Sequence, residues 1–306
     1  MLDQALKTIG LVWVLYSAYR LYDALALWLL PAAPLTRYQR RGAFESWAVV
    51  TGAGSAGFGL GCAQELALRG FNVVLVGRDV DELEDARALV ESECRRLRRR
   101  DGSDVAVRLV VLDAAAASAR QVQAAVDGLA DLDVTVLVNN VGGGVPAQQL
   151  RDMSVDDVDA TIDLNARFTA RLTRLMAPTL VLNGPSLVLN VGSTAAAAPG
   201  AVVYSATMAF VASFSRALAR EMAAEGAAVD VLCVAAGEVG EGGGSDARAF
   251  AKAAMGTAGR AARRGMLEVT PWFRHAARRE FLERAPEWMV RKLVSAARDD
   301  KVRKEQ

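Results

Sequence analysis

The chain has 306 residues, of which 52% are hydrophobic, and a formal net charge of +1. It holds enough apolar mass for one large α/β domain or two small ones, and its balanced charge gives no reason to expect nucleic acid as a partner. Three cysteines without pair spacing (Cys62, Cys94, Cys233) fit neither a disulfide framework nor a zinc site, and the single histidine, His275, leaves no material for metal clusters or Ser-His machinery in the core.

The first predicted element is hydrophobic. Ile9 to Leu30, IGLVWVLYSAYRLYDALALWLL, is long enough to cross a bilayer and stops at Pro31. Arg20 and Asp23 interrupt it, three residues apart, where they pair on one helix face. Each charge costs roughly 2.5–3.5 kcal/mol near a helix centre, so insertion is marginal. A helix lying in the interface competes with a span, and burial against the domain is the third option. Lys7 precedes the run and Arg37, Arg40 and Arg41 follow it, which leaves the main domain on the cytosolic side.

From Ser46 strands and helices alternate. The strands read WAVVTG (from Trp47), NVVLVGR (from Asn72), VAVRLVVLD (from Val105), VTVLVNN (from Val134), SLVLNVGS (from Ser186) and VDVLCVAAG (from Val229). Between them lie helices from Phe58 to Gly70, Asp81 to Arg98, Ala119 to Ala130, Asp156 to Leu180 and Tyr204 to Ala224. This alternation predicts an α/β fold, a Rossmann-type doubly wound parallel sheet with right-handed crossovers. After Gly237 come a glycine-rich loop, a helix from Ala247 to Arg264, a short strand candidate GMLEV, and an arginine-rich stretch carrying Trp272, Phe273, Phe281 and Trp288. That stretch reads either as a core-facing helix or as an exposed aromatic edge beside the N-terminal segment. The organisation predicted is a membrane-associating segment (1–42), a nucleotide-binding domain (43–240), and a substrate-lid and helical extension (241–306).

Between the first strand and helix lies TGAGSAGFG, Thr51 to Gly59. Its glycines permit a tight turn and bring backbone N–H groups to a pyrophosphate at the helix N-terminus. Gly52, Ser55, Gly57, Phe58 and Gly59 are the candidates. Arg78 ends the second strand, where an NAD site places a carboxylate, and a guanidinium there suits the 2′-phosphate of NADP. Asp79 beside it keeps NAD open. Asp113 after the third strand is placed to face adenine, and Asn139, Val141 and Gly142 lie at the end of the fourth, where strand ends meet ligands.

These residues, with NNVG (Asn139 to Gly142), Asn165, Ser193 and Tyr204, resemble the short-chain dehydrogenase/reductase family from about Trp47 to Gly240. The hydrophobic N-terminus, VLVNNVG, YSATMAF and TPWFRHAARREFLERAPEW look most like the membrane-anchored very-long-chain 3-oxoacyl-CoA reductases and 17-beta-hydroxysteroid dehydrogenases. The resemblance implies a ketoreductase using NADP(H) on a hydrophobic ketone such as a long-chain 3-oxoacyl thioester. It implies a location at the endoplasmic reticulum membrane and a possible homodimer through the helices of Asn165 and Tyr204. Ser193 would orient the carbonyl oxygen, Tyr204 would protonate it, and Asn165 would hold a water of the proton relay. Gly237 and Val239 would contact the cofactor after the sixth strand.

The pattern breaks at one turn of helix. The family's lysine, four residues after the tyrosine, would touch the ribose and assist the phenol; here it is Met208, a thioether without charge. Of five lysines only Lys252 is an arguable stand-in. The glycine loop is one residue longer than usual, Ala236-Gly237 replaces Pro-Gly, and Glu241 replaces a threonine. A catalytically impaired, membrane-attached nucleotide-binding or scaffolding relative is therefore the alternative reading.

Overall fold

The computed structural model describes residues 2–29, 34–40, 45–54, 56–97, 105–143, 148–194, 201–237, 245–293 and 295. Seven strands form one sheet: β1 (Trp47–Thr51), β2 (Asn72–Gly77), β3 (Val107–Val111), β4 (Val134–Asn139), β5 (Ser186–Ser193), β6 (Val229–Ala236) and β7 (Glu268–Val269). The helices are α1 (Leu2–Leu29), α2 (Gly57–Leu68), α3 (Val80–Leu97), α4 (Ala119–Asp127), α5 (Val155–Ile162), α6 (Phe168–Leu182), α7 (Val202–Ala224), α8 (Ser245–Arg263) and α9 (Phe273–Arg284). Strand order is β3-β2-β1-β4-β5-β6-β7, and every pairing is parallel. This is the doubly wound sheet expected from the alternation, with GMLEV supplying β7.

The strands are apolar on both faces because both faces are covered. Ala48 and Val50 join a core with Leu66 of α2, Leu83 of α3 and Phe250 of α8. Val49, pointing the other way, joins Val122 of α4, Phe168 and Met176 of α6, and Met222 of α7. The strand order reverses beside β1, so a crevice opens where the ends of β1 and β4 diverge.

One element differs from expectation. The helix expected as one piece from Asp156 to Leu180 is interrupted by a π-helical turn, Asp163–Arg167, between α5 and α6. Such a turn carries an extra residue per hydrogen-bonded ring. Here it contains Asn165, buried at 1% exposure, whose amide bonds to Gly143 hold the widened turn.

The N-terminal helix covers the hydrophobic run anticipated. Among the described residues, α7 is the helix long and apolar enough to cross a bilayer, yet one face of it packs on β5 and β6 within the fold. Among the described residues Leu6–Tyr19 of α1 is apolar, and the side chains of Arg20 and Asp23 lie outside the described set. Consecutive residues from Leu11 to Tyr16 are all exposed, so α1 is apolar around its whole circumference rather than on one stripe. Its other end is seated on the body: Leu27 is buried in the α2/α8 core, and the Trp28 indole donates to the Pro271 carbonyl at 2.9 Å.

Candidate active site

The glycine loop leaves β1 through Gly52, whose φ of +66° a side chain would strain, and enters α2 through Gly57 at +93°. Gly59 is fixed by proximity: a Cβ there would collide with the Gly52 carbonyl and the Asn140 amide. Phe58 does not face the cleft. Helical periodicity turns it onto Phe250, ring centroids 5.1 Å apart, so its contribution to a ligand is confined to backbone. Ser55 lies outside the described residues.

A cleft of about 590 Å³ runs from this loop across the ends of β2, β3 and β4. Gly52, Arg78, Asp113, Val141 and Gly142 line it, as expected. Asp79 lines it too, but its carboxylate accepts from the N–H groups of Asp81 (2.9 Å) and Glu82 (3.2 Å), capping α3. Asp113 accepts from the Ala115 N–H at 2.9 Å. Glu82 was missed. It sits in the first turn of α3, with Oε2 2.7 Å from where a Cβ of Gly54 would stand, so a carboxylate overhangs the glycine loop.

The end of β4 corrects one expectation. Asn139 does not reach the cleft. It is 2% exposed, and its amide donates to Thr173 (2.8 Å) and Asn190 (2.7 Å), while Asn190 donates to Ser215 (2.9 Å). The alternation of strand side chains sends Asn139 beneath the sheet and Asn140 toward the loop. Asn140 donates to the carbonyls of Thr51 (2.9 Å) and Gly52 (3.1 Å), and the Thr51 hydroxyl accepts from the N–H groups of Asn140 and Val141, both at 3.0 Å. The switch point is therefore clamped from both sides.

Asn165 gives both amide atoms to Gly143: it accepts from the N–H at 2.9 Å and donates to the carbonyl at 2.7 Å. It thereby holds the segment following NNVG. Ser193 ends β5 beside Ala236, and Tyr204 lies in the first turn of α7. Because α7 packs on β5, β6 and the π-helical turn, the three candidate catalytic residues come from elements in mutual contact. Ser193 and Tyr204 stand outside the cleft described above.

Met208 is 6% exposed and packs with Val211, Cys233 and Tyr204, so the family's lysine position is an apolar cluster. Burial pushes the Cys233 thiol up to about 12, leaving it inert there. Lys252 does not substitute. It is exposed on α8, whose neighbours Phe250 and Ala251 belong to the core on the sheet face opposite α7.

Gly237 follows β6, and Val239 and Glu241 lie outside the described residues. A Cβ on Gly237 would come within 2.7 Å of the His275 ring, which also packs on Trp272 at 5.2 Å. The sequence placed this histidine in the C-terminal extension, and no local signal reveals that α9 returns it to the end of β6.

The strand order, the glycine loop at the switch point and the cleft beside it define a dinucleotide-binding α/β protein. A short chain dehydrogenase family model matches residues 46–248, and the chain belongs to that family. The very-long-chain 3-oxoacyl-CoA reductase of Coprinopsis cinerea is 35% identical over 231 residues, covering 74% of this chain and 63% of its own length. Its counterpart in Pyricularia oryzae is 30% identical over 276 residues, 86% of this chain and 79% of its own. A metagenomic short-chain oxidoreductase solved in complex with NADP superposes with a TM-score of 0.62 at 25% identity, covering 74% of this chain and 97% of that one. The cleft suits a nicotinamide dinucleotide: the backbone of Gly52 and Gly54 lines it on one side and Arg78, following β2, on another.

Proposed function

We propose that the protein is an NADPH-dependent ketoreductase acting on a hydrophobic ketone, such as a long-chain 3-oxoacyl thioester. It works at a membrane, at the endoplasmic reticulum with its body in the cytosol. The observation that carries this reading is the reach of the similarity. The Pyricularia oryzae reductase aligns over 86% of the chain, well beyond the nucleotide-binding part. NADPH is favoured over NADH because Asp79 is occupied in a helix cap while Arg78 lines the cleft.

Bound NADPH would supply a hydride to the carbonyl carbon. Ser193 would hydrogen-bond the carbonyl oxygen, and Tyr204 would donate the proton that turns it into an alcohol. Asn165 positions rather than reacts, since Gly143 engages both of its amide atoms. Reduction uses the phenol as an acid, the direction in which the missing lysine matters least. The helices carrying Asn165 and Tyr204 are the surface for a homodimer. The all-round apolar exposure of α1 supports insertion over lying flat, because an interfacial helix needs a polar face.

A second reading is favoured by Met208: a nucleotide-binding relative whose turnover is impaired. NADPH oxidation with a 3-oxoacyl-CoA panel separates the two. The enzyme reading expects turnover that Tyr204→Phe abolishes and Met208→Lys increases about tenfold, a gain of about 1.4 kcal/mol in transition-state stabilisation. Turnover appearing only in Met208→Lys favours the impaired relative. In both readings NADPH at about 100 times its Kd should stabilise the fold by about 2.7 kcal/mol, read as a rise in Tm. No rise would remove the nucleotide from both.

A further inference from the structure

We infer that the surface formed by the end of α8 and by α9 is a second membrane contact, one that reads anionic lipid headgroups. This rests on the reading of α1 as membrane-inserted and adds to it a defined orientation of the body.

The argument begins where α1 meets the body. The Arg264 guanidinium covers the Tyr22 ring at 5.2 Å. Arg260 donates to the Leu27 carbonyl, capping the last turn of α1. Trp28 bonds to the Pro271 carbonyl at 2.9 Å, and its ring meets Phe273 edge to face at 5.3 Å. Exposure on α1 continues past Tyr19: Tyr22 is 57% and Leu29 74% exposed. At about 1.5 Å per residue, the roughly 20 residues of helix needed to cross the hydrocarbon run from Leu6 to about Leu25, with Trp28 about 5 Å beyond. The headgroup layer occupies about 5–7 Å on each side of a bilayer. A bilayer that takes up that length of α1 therefore brings its headgroups to the level of Trp28 and of Phe273 packed on it.

The chemistry of that surface matches. Arg260, Arg263 and Arg264 close α8, and between Pro271 and Leu293 six basic residues face three glutamates. Phe273 and Phe281 on α9 are 58% and 49% exposed, and Trp288 beyond it is 62% exposed. Cations interleaved with exposed aromatics are the composition that settles at a negatively charged lipid interface. The salt bridge from Arg279 to Glu268 of β7, 2.5 Å, fixes α9 against the sheet edge, so the contact is rigid with the catalytic body.

The test uses the full chain. Its three cysteines are buried, so a single exposed cysteine takes an environment-sensitive fluorophore selectively. Labels go at Trp13→Cys on α1, at Phe281→Cys on α9, and at Val111→Cys. Val111 is an exposed position on β3, the sheet edge remote from β7. The protein is reconstituted into phosphatidylcholine vesicles with and without phosphatidylserine. The expected result is a blue-shifted label at position 13 in both lipids. The label at 281 should blue-shift with phosphatidylserine and lose about half of that shift in high salt or with Arg274→Glu, while position 111 stays water-like. A water-like label at 281 in both lipids, or an equal shift without phosphatidylserine, overturns the proposal while α1 insertion stands. A water-like label at 13 overturns insertion itself.

Discussion

Asp79 and Arg78 are neighbours with opposite charge, and both line the cleft. One oxygen of the Asp79 carboxylate serves two N–H groups of α3, and under the proposed function Arg78 would meet a 2′-phosphate. Arg78→Ala should therefore weaken NADPH binding about tenfold to a hundredfold, the range of a hydrogen bond to a charged group, with little change for NADH. Titration of nucleotide fluorescence measures both. Glu82 overhangs the glycine loop at Gly54, where its carboxylate would oppose the phosphates of a bound dinucleotide. Glu82→Gln should tighten both dinucleotides by about fivefold at low salt, with the gain fading as salt is raised. Arg78 and Asp113 were legible in the sequence because strand ends mark ligand positions in this class of sheet. Glu82 was not, because its reach over the loop depends on the angle at which α3 leaves β2.

At the level of elements, the loop and the helix contacts are the sensitive joints. Gly59→Ala would push a Cβ against the Gly52 backbone, so it should cost about 1–3 kcal/mol of stability and abolish the NADPH-dependent rise in Tm. Arg248 of α8 ties α3 and α2 together through Glu93 and through Glu65 at 3.8 Å. The Arg248 hydrogen bond, against a smaller cost of burial, holds the Glu93 carboxyl below its ordinary 4.5. A depressed folded-state value means that this stability is present above pH 4.5 and is lost as pH falls through the lower value. Thermal melts should show a decline in Tm on that acid side that is smaller in Glu93→Gln. Periodicity predicted these strands and helices with small errors at their ends. It missed the π-helical turn at Asn165, because a widened turn keeps the apolar spacing of the helices flanking it and is stabilised by Gly143, remote in sequence.

Across the whole molecule, the chain's beginning is part of its centre. Leu27, Leu35 and Tyr38 share one core with β1, α2 and α8, and Tyr38 is fully buried. Its hydroxyl donates to Asp230 on β6 at 2.7 Å, and Arg37 approaches the same carboxylate at 3.3 Å. Burial, and then this bond, push the phenol far above its ordinary range, so it stays a donor at any working pH. The sequence assigned this stretch to the segment preceding the nucleotide-binding domain, since nothing local distinguishes a linker from a plug. The practical consequence concerns how a soluble version could be made. Cutting away the hydrophobic leader up to Ser46 would also pull two stoppers, Leu35 and Tyr38, out of the side chains packed between the sheet and α2 and α8. Each stopper is worth about 1.5–3 kcal/mol. A shortened protein starting at Pro34 should melt several degrees above one starting at Ser46, and only the longer should survive purification without lipid or detergent.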